Sequence, residues 1–371
     1  MFTKPGKPPD DPASFRPISL LPFFSKICEK LIHKRLSSHI TLNNVLPHSQ
    51  FGFRCKHSTI HQVHRMVDTI SSSLEKKQYC TSVFLDMSQA FDRVWHQGLL
   101  FKLRKYLPSA LFLLIKSYLD YRHFQIRFGT AFSNIAAINA GVPQGGILSP
   151  ILFNIFVSDQ PTLADTLVAD YADDKAIMSM HVNPDIASAT LQLHLDLMAD
   201  WYKKWRVKIN STKSVHITFT LKLGHCPNVS INNTQIPTSD AVKYLGLHLD
   251  KRLTWNNHIK TKRLLLNSRS RILKSLYSNQ FTNLKTKIII YKSLLKPIWT
   301  YGLQLWGAAK KSNTNKIQTF QNITLRKITN APYFVSNHTL HNDLHIKTIN
   351  EEAKTFYNKF HLKLSNHYIH S

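Results

Sequence analysis

The chain has 371 residues, 43% of them apolar and 11% aromatic, and its 48 Lys and Arg against 21 Asp and Glu give a formal charge of +27. Such a chain is long enough and apolar enough to bury a sizeable core, which argues against disorder of the chain as a whole, while its charge points to a polyanionic partner. No apolar run reaches the length of a membrane span and Met1 opens no apolar signal core, so no membrane association is expected, and the product is expected to be intracellular, in nucleus or cytoplasm, and not secreted.

The opening Lys4–Pro12 stretch is turn and loop material, and Phe15 to Leu21 enters ordered structure. Residues 24–40 show helical periodicity, with Ile27, Leu31 and Leu36 on one side and Lys26, Lys30, Lys34 and Arg35 on the other. A β-rich run from Tyr79 ends at Leu85, just before Asp86, and a helix is predicted from Ser88 to about Tyr106, followed by one over 109–120. Paired strands are expected within 124–139, a sharp loop at Gly141–Gly146, and an apolar helix from Ser149 to about Phe156. Residues 167–178 read as a hairpin whose tip carries Asp173 and Asp174. A helix over 185–206, a strand from Val215 to Thr220 and a single strand from Val242 to Leu249 follow; beyond about 255 the pattern is helical and basic, interrupted at Pro297 and Pro332. Repeats and low-complexity linkers are absent.

Charge is unevenly placed. Residues 251–371 carry 21 Lys and Arg against three acids, Asp343, Glu351 and Glu352, a net of +18. Charge so one-sided gains little from salt bridges and fits contact with nucleic acid. Cys28, Cys55, Cys80 and Cys226 form no C-x-x-C pair, which argues against a disulfide framework or a zinc knuckle.

Asp86 and the Asp173–Asp174 pair each lie at an expected strand end bounded by apolar residues. Ionised carboxylates gathered in such settings need a cation, and hard divalent ions prefer oxygen. Two Mg²⁺ ions about 4 Å apart would activate a primer 3′-hydroxyl and stabilise departing pyrophosphate. An adjacent Asp pair is by itself weak evidence, since most such pairs in turns are solvated.

The surrounding blocks sharpen it. Tyr171-Ala172-Asp173-Asp174, Phe84-Leu85-Asp86 through Val94, and Gly141-Val142-Pro143-Gln144-Gly145-Gly146 through Pro150 resemble, in order and spacing, the catalytic and nucleotide-pocket motifs of reverse transcriptases, specifically the jockey-type non-LTR retrotransposon polymerases. Phe15–Leu20 and Gln50–Arg54 resemble the fingers blocks, Trp205–Ser214 the lysine-bearing palm block, and Tyr244–Asp250 the primer grip. Tyr301-Gly302 with Trp306, and Asn330–Tyr333, are similar to the segment that follows the polymerase in that family. Its members usually carry an endonuclease ahead of the polymerase; nothing here corresponds to one, and part of the N-terminal fingers region is also missing, so a truncated element product is expected.

The resemblance implies an α+β right-hand polymerase with fingers, a palm built on an antiparallel sheet, and a helical thumb. Fingers would span about 1–80 with a contribution near 100–140, and palm about 80–250; residues 1–250 thus form the fingers and palm domain and 251–371 the basic helical thumb and C-terminal region. Asp86, Asp173 and Asp174 would hold two Mg²⁺ ions, Mn²⁺ being an alternative, with the Met87 carbonyl available to the nucleotide-bound ion. Phe91 would sit under the incoming sugar and reject a 2′-hydroxyl, the alternative being a core aromatic on a helix face. Gln144 and Gly145 would contact the dNTP, the alternative being a structural turn. Arg54 would meet the triphosphate or instead pair with a carboxylate, and Lys213 would donate a proton to pyrophosphate. Asp92 is read as structural. Tyr244, Leu245 and Gly246 would set a tight strand against the primer, while Trp255, Trp299 and Trp306 are read as core ahead of base-stacking.

The expected activity is RNA-templated DNA synthesis, with an RNA template, a DNA primer and dNTPs as partners and an oligomeric state that the sequence leaves open. One rival is a nonenzymatic nucleic-acid-binding remnant of a truncated element. The other is a bacterial-type intron or retron polymerase, against which Leu253-Thr254-Trp255 after the grip block speaks.

Overall fold

The computed structural model describes residues 2–3, 8, 14–16, 18–279 and 281–364. The loop expected over Lys4–Pro12 lies outside these residues except for Pro8, as does Pro17 of the Phe15–Leu20 block. The chain divides into two compact units: residues 1–62, 76–218 and 222–239 form the first, and residues 63–75, 219–221 and 240–371 the second.

In the first unit β1 (Phe2–Thr3) pairs antiparallel with β2 (Phe15–Arg16), and α1 (Phe23–Leu42) follows. Helix α2 (Thr59–Glu75), which runs from the first unit into the second, is absent from the sequence expectations. Its signal was present: Val63, Met66, Ile70 and Leu74 recur at helical spacing, and all four are buried. Strand β3 (Tyr79–Leu85) leads to α3 (His96–Tyr106) and α4 (Ser109–Leu119). A narrow antiparallel ribbon comes next, made of β4 (His123–Phe124) on β7 (Ala136–Ala137) and β5 (Arg127–Phe128) on β6 (Ala131–Phe132). Then come α5 (Ser149–Phe156), β8 (Thr166–Tyr171), β9 (Asp174–His181), α6 (Pro184–Lys204), β10 (Val215–Phe219), β11 (Ser230–Ile231) and β12 (Thr234–Gln235).

The central sheet has the order β10-β3-β9-β8, with β9 antiparallel to both β3 and β8. Its strands are buried along most of their length, so their sequences are apolar on both faces instead of alternating. Helix α6 packs against β3 and β9. It starts where Asn183 accepts the Asp185 N–H at 2.7 Å with Pro184 in its first turn. The core runs from Leu36 and Ile40 of α1 through Val83, Leu152 and Ile177 to Leu195 and Met198 of α6.

The helix expected from Ser88 begins only at His96. Met87 bridges to Ile209, the Ser88 N–H donates to the Lys208 carbonyl, and the Asn210 N–H donates to the Asp86 carbonyl, both at 2.9 Å. Gln89 adopts a left-handed φ of 53°. The carbonyls of Phe91 and Val94 accept from Val142 and Gly141 at 2.8 Å, so they are not free for helical partners. Residues 88–94 are therefore turns that lock onto the 141–142 loop.

In the second unit, β13 (Ala241–Tyr244) and β14 (Leu247–Asp250) form an antiparallel hairpin where one strand was expected. Leu245 (φ 44°) and Gly246 (φ 80°) are its two turn residues, and positive φ at both matches the twist of the flanking strands. The rest is helical: α7 (Asn256–Ile272), α8 (Lys274–Ser278), α9 (Leu284–Ile290), α10 (Lys296–Thr300), α11 (Leu303–Trp306), α12 (Lys311–Thr329), α13 (Asn337–Asp343) and α14 (Ile349–Leu364). A π-helical turn over Tyr291–Leu295 joins α9 to α10, just before Pro297, and Pro332 lies between α12 and α13. Asp250 organises the entry to α7, its carboxylate accepting the N–H groups of Arg252, Thr254 and Trp255. Trp299 and Trp306 are fully buried and Trp255 nearly so, which makes them core. Among the described residues no helix is long and apolar enough to cross a membrane.

Candidate active site

Strands β3, β8 and β9 bring the three aspartates to one end of the central sheet. Leu85 pairs with Lys175, so Asp86, the residue that follows β3, stands beside Asp174 at the start of β9. Tyr171 pairs with Asp174, which leaves Ala172 and Asp173 as the hairpin tip. The carboxyl of Asp174 is pushed up to about 6, first by burial and then by the charges of Asp173 and Asp86. Asp174 as a whole residue presents more than a third of its surface to solvent. Burial of the carboxyl is thus only partial, and the two neighbouring carboxylates add to its effect in the same direction.

The tip is clamped by a residue that the sequence reading passed over. Ala172 has a left-handed φ of 58°, a costly conformation for alanine. The Gln50 side chain accepts the Ala172 N–H at 2.9 Å and donates to its carbonyl at 3.3 Å, satisfying both backbone groups. Gly52 lies so close that a Cβ there would come within 2.2 Å of the Ala172 nitrogen. The motif glycine of the Gln50–Arg54 block is therefore a contact surface for the aspartate tip. Behind the tip, Lys175 pairs with Asp170 at 2.6 Å, and both are buried.

Phe91 stacks on Phe153, with ring centroids 4.7 Å apart, and meets Phe53 edge-on at 6.3 Å. It is part-buried and packs against the core while retaining an exposed part. The Gln144 side-chain nitrogen donates to both oxygens of Asp92 at 2.8 Å, and the Gln144 backbone carbonyl accepts the Ser19 N–H at 2.9 Å. Asp92, read as structural, is thus what orients Gln144. Gly145 is exposed and has a φ of 107°, and a Cβ there would approach the Ser19 carbonyl at 3.3 Å. Glu29, buried on α1, holds the same loop from beneath, accepting the Ile147 N–H at 2.5 Å and the Tyr118 hydroxyl at 2.8 Å.

Other expected residues are placed differently. Arg54 turns one end of its guanidinium onto the carbonyls of Pro47 (3.0 Å) and Gln50 (3.2 Å), and burial lowers its pKa. Its recorded partners are backbone carbonyls and not a carboxylate. Lys213 is exposed, its backbone N–H bonded to Asn210, in the segment whose Asn210 N–H reaches the Asp86 carbonyl. Met87 is buried beside Asp86. In the second unit Tyr244 is buried, and the Tyr301 hydroxyl donates to the Leu245 carbonyl at 2.6 Å. A Cβ on Gly246 would meet the Tyr301 ring at 3.1 Å, so the turn is seated directly on that ring.

The carboxylates of Asp86, Asp173 and Asp174 are oxygen donors, which suit hard divalent cations, and the burial and neighbouring negative charge that raise the Asp174 carboxyl are both costs that a cation would offset. Among the described residues no three His, Cys, Asp or Glu side chains are already gathered into a coordinating cluster.

The profile of the reverse transcriptase (RNA-dependent DNA polymerase) family matches residues 3–249. Over 99% of its length the chain is 40% identical to a probable RNA-directed DNA polymerase from transposon BS of Drosophila melanogaster, covering 42% of that protein. It is 39% identical, again over 99% of its length, to the RNA-directed DNA polymerase from mobile element jockey of the same species, covering 41% of that protein. The chain therefore spans about two fifths of the length of these curated relatives. Among solved structures, telomerase from Candida albicans in complex with the TWJ fragment of telomeric RNA aligns with a TM-score of 0.50, at 12% identity, over 88% of this chain and 59% of that one. That likeness is one of fold, and it bears out the α+β right-hand polymerase class expected from the sequence.

Proposed function

This chain belongs to the reverse transcriptase (RNA-dependent DNA polymerase) family, and from that membership we propose that it is the polymerase core of a jockey-type non-LTR retrotransposon protein, an intracellular enzyme that extends a DNA primer on an RNA template. The observation that carries this reading is the convergence of Asp86, Asp173 and Asp174 at one sheet end, where burial and then the charges of the first two raise the carboxyl of the third. Residues 1–250 would form fingers and palm, and the basic residues 251–371 the thumb and C-terminal region.

Asp86, Asp173 and Asp174, with the Met87 carbonyl, would hold two Mg²⁺ or Mn²⁺ ions. Bound there, the ions would lower the pKa of the primer 3′-hydroxyl and neutralise charge on the departing pyrophosphate. Phe91, supported by Phe153, would place its exposed edge where a 2′-hydroxyl would clash. With its amide nitrogen turned onto Asp92, Gln144 would present its amide oxygen to the nucleotide, while Gly145 lets the backbone approach. Arg54 would use its Nε and Nη2 donors for the triphosphate, since Nη1 is spent on Pro47 and Gln50. Lys213 would deliver a proton to pyrophosphate, and the Tyr244–Gly246 turn would seat the primer end. The basic helices would follow the phosphates of the RNA–DNA hybrid in a salt-dependent way.

Primer extension on an RNA template tests this, with Asp173→Ala/Asp174→Ala as the control. Metal-dependent dNTP incorporation that the double variant lacks is the expected result. Nucleic-acid binding with no incorporation under any divalent metal would replace it with a binding-only function.

A further inference from the structure

A cleft of about 700 Å³ opens in the first unit, between the start of α3, the end of α4 and the chain after β7. Its size suits a nucleotide. Arg206 lies over the Trp95 ring, its guanidinium carbon 4.3 Å from the centroid. Trp95 also packs against α3, where a Cβ on Gly98 would fall 2.5 Å from its ring, so the indole is a fixed support and the guanidinium plane is what the stack offers to a ligand. Arg93, exposed in the same cleft, uses Nε for Gln89 at 3.2 Å and keeps its other donors. Among the described residues neither arginine has an ion pair. Tyr121 stands at the rim with 96% of its surface exposed.

The rim continues into the β4–β7 ribbon, on which Phe124, Phe128 and Phe132 are exposed. From Tyr121 to Ser158 the chain carries no acid at all. Exposed aromatics and unpaired arginines without acids between them are the make-up of a single-strand binding path, in which bases stack on rings or guanidinium planes and arginines take phosphates. The cleft does hold two carboxylates, but both oxygens of Asp92 accept from Gln144, and only the exposed Asp120 offers its acceptors to a ribose hydroxyl or base amino group.

We propose that this cleft and ribbon bind the uncopied single-stranded part of the template RNA, one base resting on the Arg206 guanidinium and a phosphate held by Arg93. The proposal rests on the polymerase reading for the identity of the strand, and it assigns a contact surface apart from the aspartates.

The test is equilibrium binding of the full chain, without dNTP, to a blunt primer–template duplex and to the same duplex with a 5′ RNA overhang. Arg206→Ala is expected to weaken overhang binding about tenfold and leave the blunt duplex unchanged, and Arg206→Lys to restore only part, since it keeps the charge but loses the plane. Tyr121→Ala, at a position too exposed to upset folding, is expected to act in the same direction, with unchanged melting temperatures for all three variants. Equal weakening of both duplexes, no weakening of either, or full rescue by lysine would each overturn the assignment. A chain that shows the Arg206 effect but never extends a primer counts against the polymerase reading alone. One that extends primers with overhang affinity indifferent to Arg206 and Tyr121 counts against the cleft alone.

Discussion

The amide nitrogen of Gln144 donates to both carboxylate oxygens of Asp92, each at 2.8 Å, although the two residues are 52 positions apart in the chain. The bond joins the turn after Asp86 to the Gly141–Gly146 loop, and it fixes which face of the Gln144 amide a nucleotide would meet. Asp92→Asn sets an amide N–H against an amide N–H and should lower kcat/KM for dNTP roughly tenfold, about 1.4 kcal/mol, with little change in melting temperature. Gln144→Ala should cost a similar amount, and the double variant little more than either alone. Steady-state kinetics on all three settle it; full additivity would mean that the bond does not matter.

The raised carboxyl of Asp174 gives a pH signature. Because its folded-state pKa, about 6, lies above the ordinary carboxylate value, ionising it opposes folding of the metal-free chain: its contribution to stability is complete below about pH 4 and lost as pH rises through 6. Asp174→Asn should therefore raise the melting temperature near pH 8 in EDTA and not near pH 4. The gain should be on the order of 1 kcal/mol, because a partly exposed carboxyl is screened by solvent. Mg²⁺ should stabilise the wild-type chain above pH 6, lose that effect near pH 5, and do nothing for Asp174→Asn that EDTA could reverse.

Gly52 has no room for a side chain. Its Cβ would strike the Ala172 backbone at 2.2 Å and the Gln50 amide oxygen at 2.9 Å, and backbone cannot rotate away. Gly52→Ala should cost about 2 kcal/mol or more in urea unfolding and abolish primer extension, because the displaced groups clamp the aspartate tip. Activity retained at wild-type level would show that the tip tolerates movement.

Phe91 serves the core and, in the proposed reading, the sugar pocket. Phe91→Val should lower the preference for dNTP over rNTP by at least about tenfold, measured as a ratio of kcat/KM values, beyond any general loss from weaker packing on Phe153. A loss of stability with the preference intact would leave it a core aromatic only.

The sequence by itself determined the family, through blocks that resemble its motifs, and most of the elements that carry them. Short motifs are local: Asp173 and Asp174 stand between two apolar runs, Leu167–Ala169 and Ala176–Met178, that can be read as the strands of a hairpin without knowledge of their partners. The basic character of residues 251–371 is likewise a matter of counting. Tertiary structure decided what depends on where backbone hydrogen bonds go. Residues 88–94 have helical periodicity, but their carbonyls are taken by Gly141 and Val142, so the helix waits until His96. Val242–Leu249 reads as one strand until Leu245 and Gly246 both take positive φ and fold it into a hairpin seated on Tyr301. The clamp from Gln50 to Ala172 and the bond from Asp92 to Gln144 join segments 122 and 52 residues apart. No local pattern encodes such pairings, because each is chosen only once the sheet has brought its two segments together.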